Sequence, residues 1–204
     1  MNKEMKLKIT LCTFALFAVL NTANAQDNGI ALFGGATQIF PTGGLGNYFT
    51  PATAANAGMA FRLGDRLSVD FMITFAAISR LNKPLRCSET GHSRDFQKGD
   101  RFFFNELSFP IGYALIGDRD SRFTLSPFVN MGATWVGSRD RNDDEDDRFD
   151  VVNAFKVGPG LRADFLIFGT VNLRLDIGYN IPVSFNYTPA RGNVFYVRTS
   201  VAFF

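Results

Sequence analysis

Nine charged residues of this 204-residue chain stand inside otherwise apolar, alternating stretches: Arg62, Asp70, Glu106, Lys156, Arg162, Asp164, Arg174, Asp176 and Arg198. Five are cations and four are anions, so the chemistry open to them is mutual ion pairing, and each is expected to serve as a structural charge and not as a catalyst. His92 beside Ser93 would place a base next to a hydroxyl, the beginning of a nucleophilic set. His92 is the only histidine, and spacing supplies no third group, so no catalytic residue is expected. Residues 139–147 are strongly acidic, and Asp140, Asn142 and Asp144 have the first three spacings of a calcium loop. Glu145 takes the place of the turn glycine and Val151 that of the bidentate glutamate, so the favoured reading is a solvated acidic loop tip with no metal and no cofactor.

The elements that must position the nine charges are strands. In residues 171–181, Val171, Leu173, Leu175, Ile177, Tyr179 and Ile181 alternate without interruption with Asn172, Arg174, Asp176, Gly178 and Asn180, the pattern of a β-strand with one apolar face. Strand-like segments recur at 30–40, 54–63, 67–79, 102–116, 123–136, 151–167 and 194–204, eight in all. Gly64-Asp65, residues 117–122 and residues 168–170 make short, glycine-bearing connections, whereas 41–53, 80–101, 137–150 and 182–193 are long. Short and long alternate strictly, which in an up-and-down arrangement sorts them to opposite ends. Pro110 and Pro159 fall inside strands, where each removes a ladder donor, and bulges are expected there.

The beginning of the chain reads differently. Lys3, Lys6 and Lys8 precede an apolar run and the small-x-small site Ala23-Asn24-Ala25, which predicts a cleaved secretory signal peptide over 1–25 and one domain over 26–204. Cys12 lies inside the apolar run behind Leu11, which disfavours a lipoprotein signal. Of the chain's 21 basic and 19 acidic residues, removal of the three lysines and Glu4 leaves 18 of each, and nucleic acid is not an expected partner. Cys87 then remains alone, which excludes an internal disulfide and a cysteine-based zinc site.

Comparison of the strands decides between inside and outside. Phe103, Leu107, Phe109 and Ile111 oppose Glu106, Ser108 and Gly112; Phe155, Val157, Leu161 and Phe165 oppose Lys156, Gly158, Arg162 and Asp164. A soluble sandwich or lipocalin-like barrel would have to bury the apolar face and could not bury the charged one without large desolvation costs. The pattern fits an all-β fold, an eight-stranded antiparallel up-and-down transmembrane β-barrel with aromatic and aliphatic residues in lipid and the charges in its lumen. A barrel of this size is just filled by its own side chains, so a charge-plugged interior is favoured over a small-solute, porin-like channel. Trp135, Tyr113, Tyr179 and Phe195 read as interfacial or lipid-facing aromatics.

Glu106-Leu107-Ser108-Phe109-Pro110-Ile111, followed by Pro127-Phe128-Val129-Asn130-Met131-Gly132, resembles the Leu-Glu-Ile-Pro and Pro-Tyr-x-x-x-Gly patterns of the small outer-membrane β-barrel domain family, relatives of OmpA-type barrels. Ser108 departs from that family's carboxylate-then-aliphatic order, and the chain end resembles the C-terminal aromatic signal read by the barrel-assembly machinery, with Phe203 in place of Phe204 continuing the apolar face. The resemblance implies a bacterial outer-membrane location after export through the periplasm, with assembly by that machinery. Expected partners are outer-membrane lipid and lipopolysaccharide, the latter facing the basic loop 80–101, and an unknown envelope or extracellular protein. Outer-membrane lipid A deacylases and palmitoyltransferases are also eight-stranded barrels, so an acyl hydrolase or transferase using His92 and Ser93 is the enzymatic alternative to a non-enzymatic protein.

Overall fold

The structure is a computed structural model that describes residues 29–89, 92–118, 120–139, 148–186 and 192–203. Its strands in chain order are β1 (Ile30–Pro41), β2 (Ala52–Leu63), β3 (Leu67–Arg80), β4 (Leu85–Glu89), β5 (His92–Phe96), β6 (Arg101–Tyr113), β7 (Phe123–Arg139), β8 (Arg148–Phe168), β9 (Val171–Asn186) and β10 (Val194–Phe203). All but β4 and β5 close into one eight-stranded antiparallel barrel. There β2 pairs with β3, β3 with β6, each of β7 to β10 with the strand before it, and β1 closes the ring between β2 and β10. The start of β1 and the end of β10 meet, Leu32 opposite Phe203, at the end of the barrel that carries the short turns.

Opposite partners traced once round the barrel from Asn172 run through Ala202, Phe33, Gly58, Met72, Ser108, Gly132 and Lys156, and return to β9 at Pro182, ten residues further along. A stagger of this size tilts the strands steeply, by roughly 45°. Residues far apart in register therefore converge on one level of the bore.

The strand alternation separates two environments. Ile73, Leu161 and Ile177 are 44%, 47% and 41% exposed on the outside, while Asp70, Arg162 and Asp176 beside or near them are at most 2% exposed within. Trp135 and Tyr113 are exposed outside, and Phe40 against Phe195 and Phe123 against Phe165 form tilted ring pairs on the same surface. Among the described residues no helix is long and apolar enough to cross a membrane.

Several local expectations are corrected. No register shift occurs at Pro110, which stands opposite Asn130 in unbroken register, or at Pro159, opposite Val129. Pro110 faces the bore and Pro159 the outside, and each removes a single ladder donor without needing an inserted residue. The irregularities lie at Thr74/Ala77, Val136/Gly137, Phe155/Lys156 and Leu166/Phe168. The alternation of connection lengths is also less strict than expected. β7, β8 and β9 run to 17, 21 and 16 residues and shorten the connections 137–150 and 182–193 to 140–147 and 187–193, so 140–147 is no longer than the turn 114–122.

Two long connections contain structure that strand reading did not anticipate. A short helix, α1 (Gly43–Tyr48), follows β1, and β4 and β5 form a separate hairpin between β3 and β6. The sequence of α1, GGLGNY, has poor helix propensity. What holds it is burial of Leu45 and of its C-terminal neighbour Phe49, together with hydrogen bonds to Asn193 O from Thr42 N at 2.8 Å and Thr42 Oγ1 at 3.0 Å.

Candidate functional site

The structure joins Asp70, Glu106, Lys156, Arg162, Asp164, Arg174, Asp176 and Arg198 in one connected set within the bore. Cross-strand register supplies the first contacts, because Arg162 stands opposite Asp176, Asp164 opposite Arg174, and Asp176 opposite Arg198. Opposite charges so placed on one face attract. Arg162 Nε meets Asp176 Oδ1 at 2.8 Å, Arg174 Nε meets Asp164 Oδ1 at 2.8 Å, and Arg198 Nη1 meets Asp176 Oδ2 at 3.2 Å.

The remaining contacts cross the bore. Asp70 on β3 accepts from Arg162 at 2.6 Å and from Arg174 at 3.0 Å, although β3 and β9 are four strands apart in either direction round the ring. Glu106 on β6 receives Lys156 of β8 and the Ser108 hydroxyl, and lies 3.8 Å from Arg198 of β10, again on the opposite wall. The sequence of partners is Asp164, Arg174, Asp70, Arg162, Asp176, Arg198, Glu106, Lys156, strictly alternating in sign. On β8, Asp164, Arg162 and Lys156 lie progressively further from the β8–β9 turn, so the set forms a column along the barrel axis. Every charge in it has an opposite neighbour, which is the condition for burying charges at tolerable cost.

Each arginine of the column also lies over an aromatic ring: Arg174 over Phe33 at 5.1 Å, Arg162 over Phe128 at 5.3 Å, and Arg198 over Tyr196 at 4.8 Å. Each ring stands opposite a glycine of the next strand, Gly58, Gly160 and Gly178 respectively. A Cβ on any of these glycines would run into its ring. The glycine thus lets the ring lie flat against the wall, and the ring gives the guanidinium a cation–π surface in place of water.

Beside the column runs a neutral polar layer. Asn56 Nδ2 donates to Thr37 Oγ1 at 3.0 Å, Ser200 Oγ donates to Asn56 Oδ1 at 3.0 Å, and Asn130 Nδ2 donates to Asn180 Oδ1 at 3.0 Å. Toward the long-loop end the bore becomes apolar. Ile39, Ala52, Ala54, Phe102, Phe104, Val136 and Ala154 from the walls pack with Leu45, Phe49, Leu81, Leu85 and Phe96 from the connections. Phe49 meets Phe102 and Phe104 edge-on at 5.2 and 5.5 Å, and Phe96 meets Phe102 at 5.0 Å. Ion pairs fill the middle of the bore, and a cluster of apolar side chains fills it above them.

Arg62 sits beyond the end of the column. It is half-buried at the short-turn mouth, where it lines a recess with Arg66, Asp118, Asp164 and Arg174. The side chains of Cys87, His92 and Ser93, the acidic residues 140–147, the whole segment 1–28 that includes the expected signal peptide, and Phe204 lie outside what is described. The apolar plug is only half visible in the strand pattern. Its wall half was detectable, because Phe102 and Phe104 share the parity of Glu106; its loop half, Leu45, Phe49, Leu85 and Phe96, carried no periodic signal.

Two solved outer-membrane proteins share this fold. Neisserial surface protein A is similar with a TM-score of 0.62 at 12% identity, the match covering 86% of this chain and 96% of that one. The outer membrane protein OprG from Pseudomonas aeruginosa is similar with a TM-score of 0.55 at 10% identity, over 85% of this chain and 95% of that one. At such identities the likeness is one of fold. No family model matches the chain, and no curated protein matches it in sequence, so the OmpA-type kinship of residues 106–111 stays a resemblance.

Proposed function

We propose that this chain is a non-enzymatic integral protein of the bacterial outer membrane, exported through the periplasm with loss of residues 1–25 and inserted by the barrel-assembly machinery. Its closed bore acts as a rigid internal support, and its long connections face the cell exterior for envelope structure or for contact with a partner protein. The observation that supports this reading is the inverted distribution of side chains, with exposed aliphatic and aromatic residues over the outer wall and eight paired charges within. A water-soluble protein seldom exposes a continuous apolar surface of that extent, whereas a bilayer requires it.

Fractionation of expressing cells tests the location. The chain is expected in the outer-membrane fraction, resistant to alkaline extraction; recovery in the soluble fraction would refute the proposal. Planar-bilayer recording tests the closed bore, and steady large openings from the folded protein would favour the channel instead. Loss of a lipid-hydrolysis activity on His92→Ala would favour the enzyme.

A further inference from the structure

In β3, Asp70, Met72 and Thr74 are buried in the bore, while Ile73 and Phe75 are exposed outside. The irregularity beyond Thr74 adds one residue to β3 against β6, since Thr74 stands opposite Glu106 but Ala77 opposite Phe104. An extra residue reverses the alternation of every side chain after it. Ser79 is accordingly buried, and Ile78 and Arg80 are exposed. In unbroken register Arg80 would point into the hydrophobic plug. As folded, it stands directly opposite Arg101 of β6, which is exposed as well.

Like charges directly opposed across an antiparallel pair repel. Among the described residues neither guanidinium has a carboxylate within ion-pair distance. Two residues below, on the same outer surface, Ile78 stands opposite Phe103, and Trp135 is exposed on the neighbouring β7. Tryptophan marks the membrane–water boundary, which puts the arginine pair at the level of lipid headgroups. The corresponding edge on β1, β2 and β10 is neutral, with Phe40 on Phe195 and Thr53 donating to Gln38 at 2.6 Å. Paired guanidinium forks match a phosphate geometrically, and the anion removes their mutual repulsion.

We propose that Arg80 and Arg101 clamp a phosphoryl group on the headgroup of a phosphorylated glycolipid in the surrounding leaflet. The inference rests on the outer-membrane reading. Full-length protein in micelles would be titrated with bisphosphorylated lipid A, with the same lipid stripped of both phosphates, and with inorganic phosphate, following the fluorescence of Trp135, the chain's single tryptophan. The phosphorylated lipid is expected to bind about tenfold more tightly than the stripped lipid. Arg80→Gln/Arg101→Gln should abolish that preference, and Arg80→Lys/Arg101→Lys should keep part of it. Unchanged preference in the glutamine variant, or equal displacement by inorganic phosphate, would overturn the clamp. Variants are compared only when folded, as judged by a heat-modifiable shift on gels, so failure here leaves the membrane reading standing; a chain found in the soluble fraction would remove both.

Discussion

Asp70 links opposite walls of the bore. It is fully buried and accepts from both Arg162 and Arg174, tying β3 to β8 and β9 across the barrel. Asp70→Ala would leave two buried guanidinium groups sharing less than their charge requires, at a cost of about 3–5 kcal/mol. Urea unfolding of vesicle-inserted protein, followed through Trp135, should show that loss, and Asp70→Asn, which keeps an acceptor, should lose less. At the short-turn end Asp118 acts locally. Its carboxylate accepts from Ser121 Oγ at 2.8 Å and from the Asp120 N–H at 3.2 Å, and the Ser121 hydroxyl foremost holds its pKa below the usual carboxylate value. A depressed folded pKa means the contribution to the turn is complete above the ordinary carboxylate pKa and is lost as pH falls through the folded one. Protection of the Ser121 amide relative to its intrinsic exchange rate should therefore fall only at pH below the ordinary range of about 4, and Asp118→Asn should remove the pH dependence of that protection.

At the level of an element, β9 shows how one strand answers to two solvents. Ile177 is 41% exposed outside, and its neighbour Gly178 is buried against Tyr196. Ile177→Arg should impair insertion by roughly 2–4 kcal/mol if the position lies near the bilayer midplane. Gly178→Val should cost roughly 1–3 kcal/mol by overpacking, because the Tyr196 ring must leave the wall and take its surface from Arg198. Refolding yields into lipid vesicles compare the two directly. If Ile177→Arg inserted as well as the parent, the outer face would not be in lipid. The helix α1 follows a different rule from β9, since its residues have no preference for helix and are held by what Leu45 and Phe49 bury.

For the whole molecule, the proposed closure of the bore has two parts, the ion column and the apolar plug, which can be removed separately. Phe102→Ser/Phe104→Ser removes the aromatic wall of the plug but leaves the ion column intact below it. That variant is expected to remain without steady conductance in planar bilayers, and combining it with Asp70→Ala should give openings. Openings from the serine variant alone would make the plug the sole seal.

The strands, their faces and the inward placement of Asp70, Glu106, Lys156, Arg162, Asp164, Arg174, Asp176 and Arg198 were legible in the sequence, because side-chain direction in a strand depends only on parity along a few residues. The same local rule could not say that Asp70 would meet Arg174 or that Arg62 would stay at the mouth. Nor could it say that Leu45, Leu85 and Phe96 would turn inward from the connections. The first two outcomes depend on the ten-residue stagger between Asn172 and Pro182, which selects the residues that share a level. One inserted residue after Thr74 likewise decides that Arg80 turns outward. Parity is a property of the chain; register round a closed ring is a property of all eight strands at once, and only the tertiary structure determines it.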